Sequence, residues 1–118
     1  MKESILKSKS YDFAIFIVKT YKIISSEKKE LTLSRQLLKS GTSIGANIRE
    51  AEFAQSSKDF ISKMSIALKE ANETEYWLLI LKDTNYIELD HFNKLMSINK
   101  ELIKMLVSTI NTMKSKLK

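Results

Sequence analysis

Apolar residues recur along this chain at three- and four-residue steps in four separate stretches, and no window alternates with period two. That spacing gathers the apolar side chains of each stretch on one face of an α-helix. The first stretch carries Phe13, Phe16, Ile17, Tyr21 and Ile24 and predicts a helix from about Ser10 to Ser26. Ser25 to Glu30 is a polar, charged break. A second stripe follows with Leu33, Leu37, Gly41, Ile44, Ile48 and Ala51, in a helix starting near Thr32 and ending around Ala54 to Ser56. Ser56 or Ser57 is placed to cap a third helix, and Asp59 falls in its first turn, where a carboxylate suits the helix dipole. The third stripe reads Phe60, Met64, Ala67, Leu68, Ala71, Glu75, Leu78 and Leu79. Asp83 to Leu89 forms the next break, with Asp90 as candidate N-cap. The fourth helix carries Phe92, Leu95, Asn99, Leu102, Leu106, Ile110, Met113 and Leu117. Short connections between long helices favour antiparallel neighbours. The expected fold is therefore all-α, an antiparallel up-down-up-down four-helix bundle built by residues 1–118 as one domain.

One segment breaks the local rules. Ser40 to Glu50 is rich in small residues and holds both glycines of the chain inside a helical pattern. A glycine in a helix interior costs roughly 1 kcal/mol relative to alanine. The compensation expected here is close approach of another helix, which small residues permit.

Two other stretches carry more apolar surface than one core needs. Ala14 to Val18 and Trp77 to Leu81 are apolar around most of the helix circumference. Ile15, Val18, Trp77, Ile80 and Leu81 are accordingly the candidates for a subunit interface.

Composition narrows the function classes. The 118 residues include no proline and no cysteine, so long helices are unbroken, and disulfides and thiolate metal sites are excluded. Apolar runs fall far short of the ~20 residues that span a bilayer. The chain reads as soluble and cytoplasmic, with no membrane partner. A net charge of +6 permits binding to nucleic acid. The basic residues are lysines except for Arg35 and Arg49. In the expected topology both termini and the turn between the second and third helices share one end. That end collects Lys2, Lys7, Lys9, Lys58, Lys114, Lys116 and Lys118 against Glu3, Asp12 and Asp59, while the opposite end mixes signs. Lys7, Lys9, Lys58, Lys114, Lys116 and Lys118 are the candidate nucleic-acid contacts. The tyrosines do not cluster with them in sequence.

Catalytic chemistry finds little to work with. A bundle di-iron site needs Glu-x-x-His pairs, but the one histidine, His91, has no Glu three residues before it and is read as a surface or capping residue. No nucleophile motif or phosphate loop is present. Glu50, Glu52, Glu70, Glu73 and Glu75 remain, with Glu75 on an apolar stripe, where a carboxylate needs a partner. Asn47, Glu50, Asn72 and Glu75 are read as a buried polar network that fixes helix register, rather than as an acid/base or metal site. No catalytic residue, cofactor or metal is expected.

The run Ser43-Ile44-Gly45-Ala46-Asn47-Ile48-Arg49-Glu50-Ala51, followed by Ser57-Lys58-Asp59-Phe60 and Ile66-Ala67-Leu68-Lys69-Glu70-Ala71, resembles the 23S rRNA intervening-sequence family of bacterial four-helix bundle proteins. The likeness covers the second and third helices closely. The chain departs from the family pattern where glycines and an arginine usually fall, with Ala51, Phe53 and Ala54 there instead. The resemblance implies an antiparallel bundle without catalysis that assembles as a homopentamer. It also connects the chain to the accessory proteins of diversity-generating retroelements, a branch of basic pentamers that bind nucleic acid and a reverse transcriptase. Two functions stand side by side: a self-associating bundle presenting lysines to RNA or another nucleic acid, and a protein-interaction module whose charge is incidental.

Overall fold

A computed structural model describes residues 2–117, with side chains from residue 5 onward. Four α-helices run in order: α1 (Lys2–Glu27), α2 (Thr32–Glu52), α3 (Ser57–Asp83) and α4 (Leu89–Lys116). They form an elongated bundle of 49 × 21 × 20 Å. Each helix packs on two others, giving the cyclic order α1–α2–α3–α4, with no diagonal pair in close backbone contact among the described residues. Cross-helix contacts establish the directions. Lys7 meets Glu52 while Ile17 lies over Gly41, and Lys9 meets Glu101 while Thr20 meets His91. Residue numbers thus rise on one helix as they fall on its neighbour, as the up-down-up-down expectation requires.

The buried positions obey a heptad-like spacing on all four helices. The repeat comprises Leu6, Ser10, Phe13, Ile17, Thr20 and Ile24 on α1, and Ser34, Leu37, Gly41, Ile44, Ile48 and Ala51 on α2, where Ser40 is buried as well. On α3 it comprises Met64, Ala67, Ala71, Thr74, Leu78 and Leu81, and on α4 Phe92, Leu95, Asn99, Leu102, Leu106 and Thr109, where Ile110 is buried as well. Steps alternate between three and four residues, the pattern of knobs packed into holes between nearly aligned helices.

Three expectations are corrected by this register. Helix α1 begins at Lys2, two turns before Ser10, and Leu6 is fully buried. On α3 the core position is Thr74, whereas Glu75 lies one step round the helix and Leu79 is exposed. Leu81 is fully buried in the core of its own protomer, so it is not an interface residue.

Both glycines face α1. A Cβ built on Gly41 would lie 2.8, 2.9 and 3.0 Å from three side-chain carbons of Ile17, which is itself fully buried. At Gly45 the Cβ would meet the Ser10 hydroxyl at 3.3 Å and the Ser10 carbonyl oxygen at 3.4 Å. Neither glycine has a positive φ. Their role is space, not backbone freedom: Gly41 is the hole that takes the Ile17 knob, and Gly45 lets the α1 backbone come close.

Several polar groups in the core are tied to neighbouring helices, although Asn99 Oδ1 and Trp77 Nε1 are buried without a hydrogen-bond partner among the described residues. The Thr74 and Ser40 hydroxyls bond at 3.0 Å between α3 and α2, and Asn99 Nδ2 donates to the Ala71 carbonyl at 2.9 Å between α4 and α3. A one-residue slip of α4 would cost the Asn99 amide that partner. The helix ends are defined locally. Glu30 caps α2 with its carboxylate, accepting from the Thr32, Leu33 and Ser34 amides. Ser56 accepts from the Asp59 amide at 3.0 Å, and the Asp59 carboxylate accepts from the Gln55 amide. Helix α3 closes with Asn85 in the left-handed region (φ 67°), while Tyr86 N–H donates to the Leu81 carbonyl and Asn85 N–H to that of Lys82. Helix α4 starts at Leu89 with no side-chain cap, so Asp90 lies inside its first turn and does not cap it.

His91 is neither a free surface residue nor a cap. Its ring is half-buried 5.2 Å from Phe16, and Nε2 lies 2.8 Å from the Thr20 hydroxyl oxygen. Thr20 donates its one proton to the Phe16 carbonyl, so its oxygen accepts from His91 Nε2–H. Burial and then the Lys94 ammonium hold the imidazole below its usual value of 6.5.

Two predictions follow from this packing. Gly41→Ala gains helix propensity of about 1 kcal/mol but overpacks Ile17, a cost of roughly 1–3 kcal/mol. Chemical denaturation should therefore show Gly41→Ala less stable than Gly45→Ala, with Ile17→Val partly rescuing the former; equal stabilities would refute the knob-in-hole reading. For His91, the folded state resists protonation more than the unfolded chain. Its contribution is complete above the unfolded value near 6.5 and declines as pH falls through that value. His91→Gln, which keeps a donor for Thr20, should flatten the loss of melting temperature between about pH 7.5 and pH 5.5.

Candidate functional site

The end of the bundle that holds the N-terminus of α1, the α2–α3 turn and the C-terminus of α4 is the lysine-rich end. Lys58, Lys114 and Lys116 are exposed there and take part in no ion pair among the described residues. Lys7 and Lys9 differ from them. Lys7 Nζ bonds Glu52 at 2.9 Å, and Lys9 Nζ bonds Glu101 at 2.9 Å. Half-exposed pairs of this kind contribute little to stability, yet they set carboxylates against two of the six candidate lysines and so reduce the positive field that the sequence pattern implied. The side chains of Lys2 and Glu3, and Lys118 as a whole, lie outside the described residues.

A cleft of about 480 Å³ opens at the same end, between the α2–α3 turn and the end of α4. Ile48, Ala51, Phe60, Met64 and Met113 line it, and the Lys7–Glu52 pair stands at its rim. Phe53, the residue after Glu52, is 78% exposed. One turn along the α1–α2 seam, the Arg49 guanidinium lies over the Tyr11 ring, 5.7 Å from its centroid. Tyr11 and Arg49 are both exposed, and Arg49 joins no ion pair among the described residues. Tyr11 lies one turn beyond Lys7 on α1, and the α1–α2 register sets Arg49 of α2 beside it at the lysine-rich end.

The predicted buried network of Asn47, Glu50, Asn72 and Glu75 does not form. Asn47 Nδ2 donates to the Ser43 carbonyl of its own helix at 2.8 Å, and Glu50 and Asn72 are exposed. Glu75 reaches Lys100 across the α3–α4 seam at 2.8 Å. The physical reason is register: Thr74 and Asn99 occupy the core layers that the network would have used.

Glu70 and Glu73 do meet, on the wall of a second cleft of about 470 Å³ between α2 and α3. Burial first, then the neighbouring Glu73 carboxyl, push Glu70 above its usual 4.5, against the pull of Lys39 and Lys69. Among the described residues no group of three or more His, Cys, Asp or Glu side chains converges for a metal.

The candidate interface residues are scattered. Ile15 is exposed and Val18 half-buried on α1, while Trp77 and Ile80 are half-buried on α3, the diagonal helix. The structure adds a more continuous apolar surface that sequence periodicity did not reveal. Leu68 and Leu79 of α3 share a stripe with Glu75, and Leu89, Met96, Ile103 and Val107 of α4 share one with Lys100. The Glu75–Lys100 pair joins these stripes across the outer α3–α4 seam, and Leu79, Leu89 and Val107 are exposed on it. No helix among the described residues is long and apolar enough to cross a membrane.

Comparison with known proteins agrees with this architecture. A crystal structure of a protein of unknown function from the S23 ribosomal protein family of Bacteroides thetaiotaomicron is 53% identical, covering 94% of this chain and 99% of that one, with a TM-score of 0.93. No curated protein matches the chain. The model of the 23S rRNA-intervening sequence proteins matches residues 2–108, nearly the whole of the bundle. The chain therefore belongs to the 23S rRNA-intervening sequence protein family.

Proposed function

We propose that this bundle is a non-enzymatic, self-associating protein that presents its lysine-rich end to RNA. The observation that carries the reading is the set of exposed ammonium groups on Lys58, Lys114 and Lys116, contributed by two helices to one end and left without carboxylate partners among the described residues. Lysine is a mobile point charge suited to phosphate rather than to reading bases. Lys7 and Lys9, already paired, add to the site only if phosphate displaces Glu52 and Glu101. A catalytic alternative has little support, since the lone imidazole is committed to Thr20.

Self-association is supported by the outer α3–α4 seam, an exposed apolar strip interrupted by one ion pair. Ile15, on α1, is a second exposed apolar position. Five copies is the number implied by the family resemblance. A ring would place several lysine-rich ends on one particle and multiply contacts to a single RNA. A protein partner docking on the same strip, with the charge incidental, is the competing reading.

Two measurements test the proposal. Three phosphate contacts per copy give a salt slope near −2.7, so raising salt from ~50 to ~200 mM should weaken binding to a structured RNA roughly fortyfold per engaged copy. The combined Lys58→Glu, Lys114→Glu and Lys116→Glu variant should lose at least tenfold in affinity at the lower salt. Absence of any RNA binding at ~50 mM would overturn the nucleic-acid reading. Light scattering coupled to size exclusion should give about five times the 13.6 kDa protomer mass. Val107→Glu, at an exposed position, should lower that mass without unfolding the helices; a monomer at every concentration would overturn self-association.

A further inference from the structure

The lysines at this end supply charge but no surface on which a base can rest. That surface lies beside them, on the α1–α2 seam. Two rungs cross the seam there, Lys7–Glu52 at 2.9 Å and Tyr11–Arg49 at 5.7 Å, with Phe53 directly after the lower one. Lys7 and Tyr11 are one turn apart on α1, and Arg49 and Glu52 are nearly one turn apart on α2. Tyr11 is 54% exposed and Phe53 78% exposed, so both rings are open to a ligand. The nearest off-seam carboxylates, Asp12 and Glu50, follow Tyr11 and Arg49 in the chain and therefore lie about 100° round their helices, away from the seam.

We propose that Tyr11, Arg49 and Phe53 form a stacking platform for the unpaired bases of single-stranded nucleic acid. The inference rests on the nucleic-acid reading above and specifies its substrate class. A guanidinium over a tyrosine ring and a neighbouring exposed phenylalanine offer planar, sequence-tolerant faces of the kind that unstacked bases occupy. The flanking lysines take the phosphates. Duplex RNA, whose bases are already stacked, would meet only the charge. A protein ligand would lack both the repeated phosphates and the flat rings that this arrangement matches.

The test is fluorescence anisotropy of the whole chain with a labelled 12-nucleotide single strand and a 12-base-pair RNA duplex at ~50 mM salt. Tyr11→Ala and Phe53→Ala should each weaken single-strand binding roughly tenfold and leave duplex binding within twofold. Tyr11→Phe, which keeps the ring, should retain single-strand binding. Light scattering on each variant should return the wild-type particle mass. Equal losses on single strand and duplex, or no loss on either, would overturn the platform while leaving the lysine reading intact. A changed particle mass for Tyr11→Ala would also overturn it, by assigning the seam to contact between copies or to a protein partner. Failure of the wild-type chain to bind either form would overturn the platform and the lysine reading together.

Discussion

At Gly41 the missing Cβ leaves room for the Ile17 side chain, and at Gly45 it lets the Ser10 backbone approach. These two vacancies on α2 set how near α1 can lie, and much else follows from that distance. They bring Lys7 within reach of Glu52 and the Tyr11 ring beneath Arg49. With α1 seated there, its other flank meets α4, where Thr20 accepts from His91 and Lys9 pairs with Glu101. Wider spacing between α1 and α2 would cost the cation–π rung first, because its reach is short.

The remaining interfaces are held by a different means. Between α2, α3 and α4 the core layers contain Ser40, Thr74 and Asn99 beside leucine and isoleucine, and hydrogen bonds link them across the helices. Hydrophobic burial drives these helices together without specifying alignment, since a leucine packs acceptably in several registers. Directional bonds from buried polar groups restrict those choices. Burial therefore supplies the attraction, while hydroxyl and amide groups select one alignment.

The legibility of each helix in the sequence follows from these same residues. The α2 stripe is legible from Leu37 to Ala51, where most buried positions are apolar or glycine, but its first core position is Ser34 rather than Leu33, and Ser40 is buried beside Gly41. The start of α1 is not legible because Ser10 occupies the core position between Leu6 and Phe13 and interrupts the apolar pattern that would lead back to Leu6. On α3 a threonine in the core and a glutamate beside it exchanged roles: Glu75 appeared to lie on the stripe, although Thr74 does. The candidate site was less legible still. Lysine content and the clustering of chain ends could be read from the sequence, but the pairing of Lys7 and Lys9 depends on which carboxylates the helix register delivers. The Tyr11–Arg49 contact joins residues on different helices, so no local pattern encodes it. The apolar α3–α4 seam was hidden for the same reason, being a property of two adjoining stripes rather than of either one.

The cyclic packing order also bears on how the molecule assembles. Three of its four helix interfaces join elements consecutive in the chain, through connections of only a few residues. Closing each such loop has a small entropic cost, and a topology rich in near-neighbour pairings folds quickly. The interface of α1 with α4 alone must unite distant parts of the polypeptide. It is the seam most exposed to fraying and to exchange of α1 or α4 between copies, and the Thr20–His91 and Lys9–Glu101 links are the latches that oppose both.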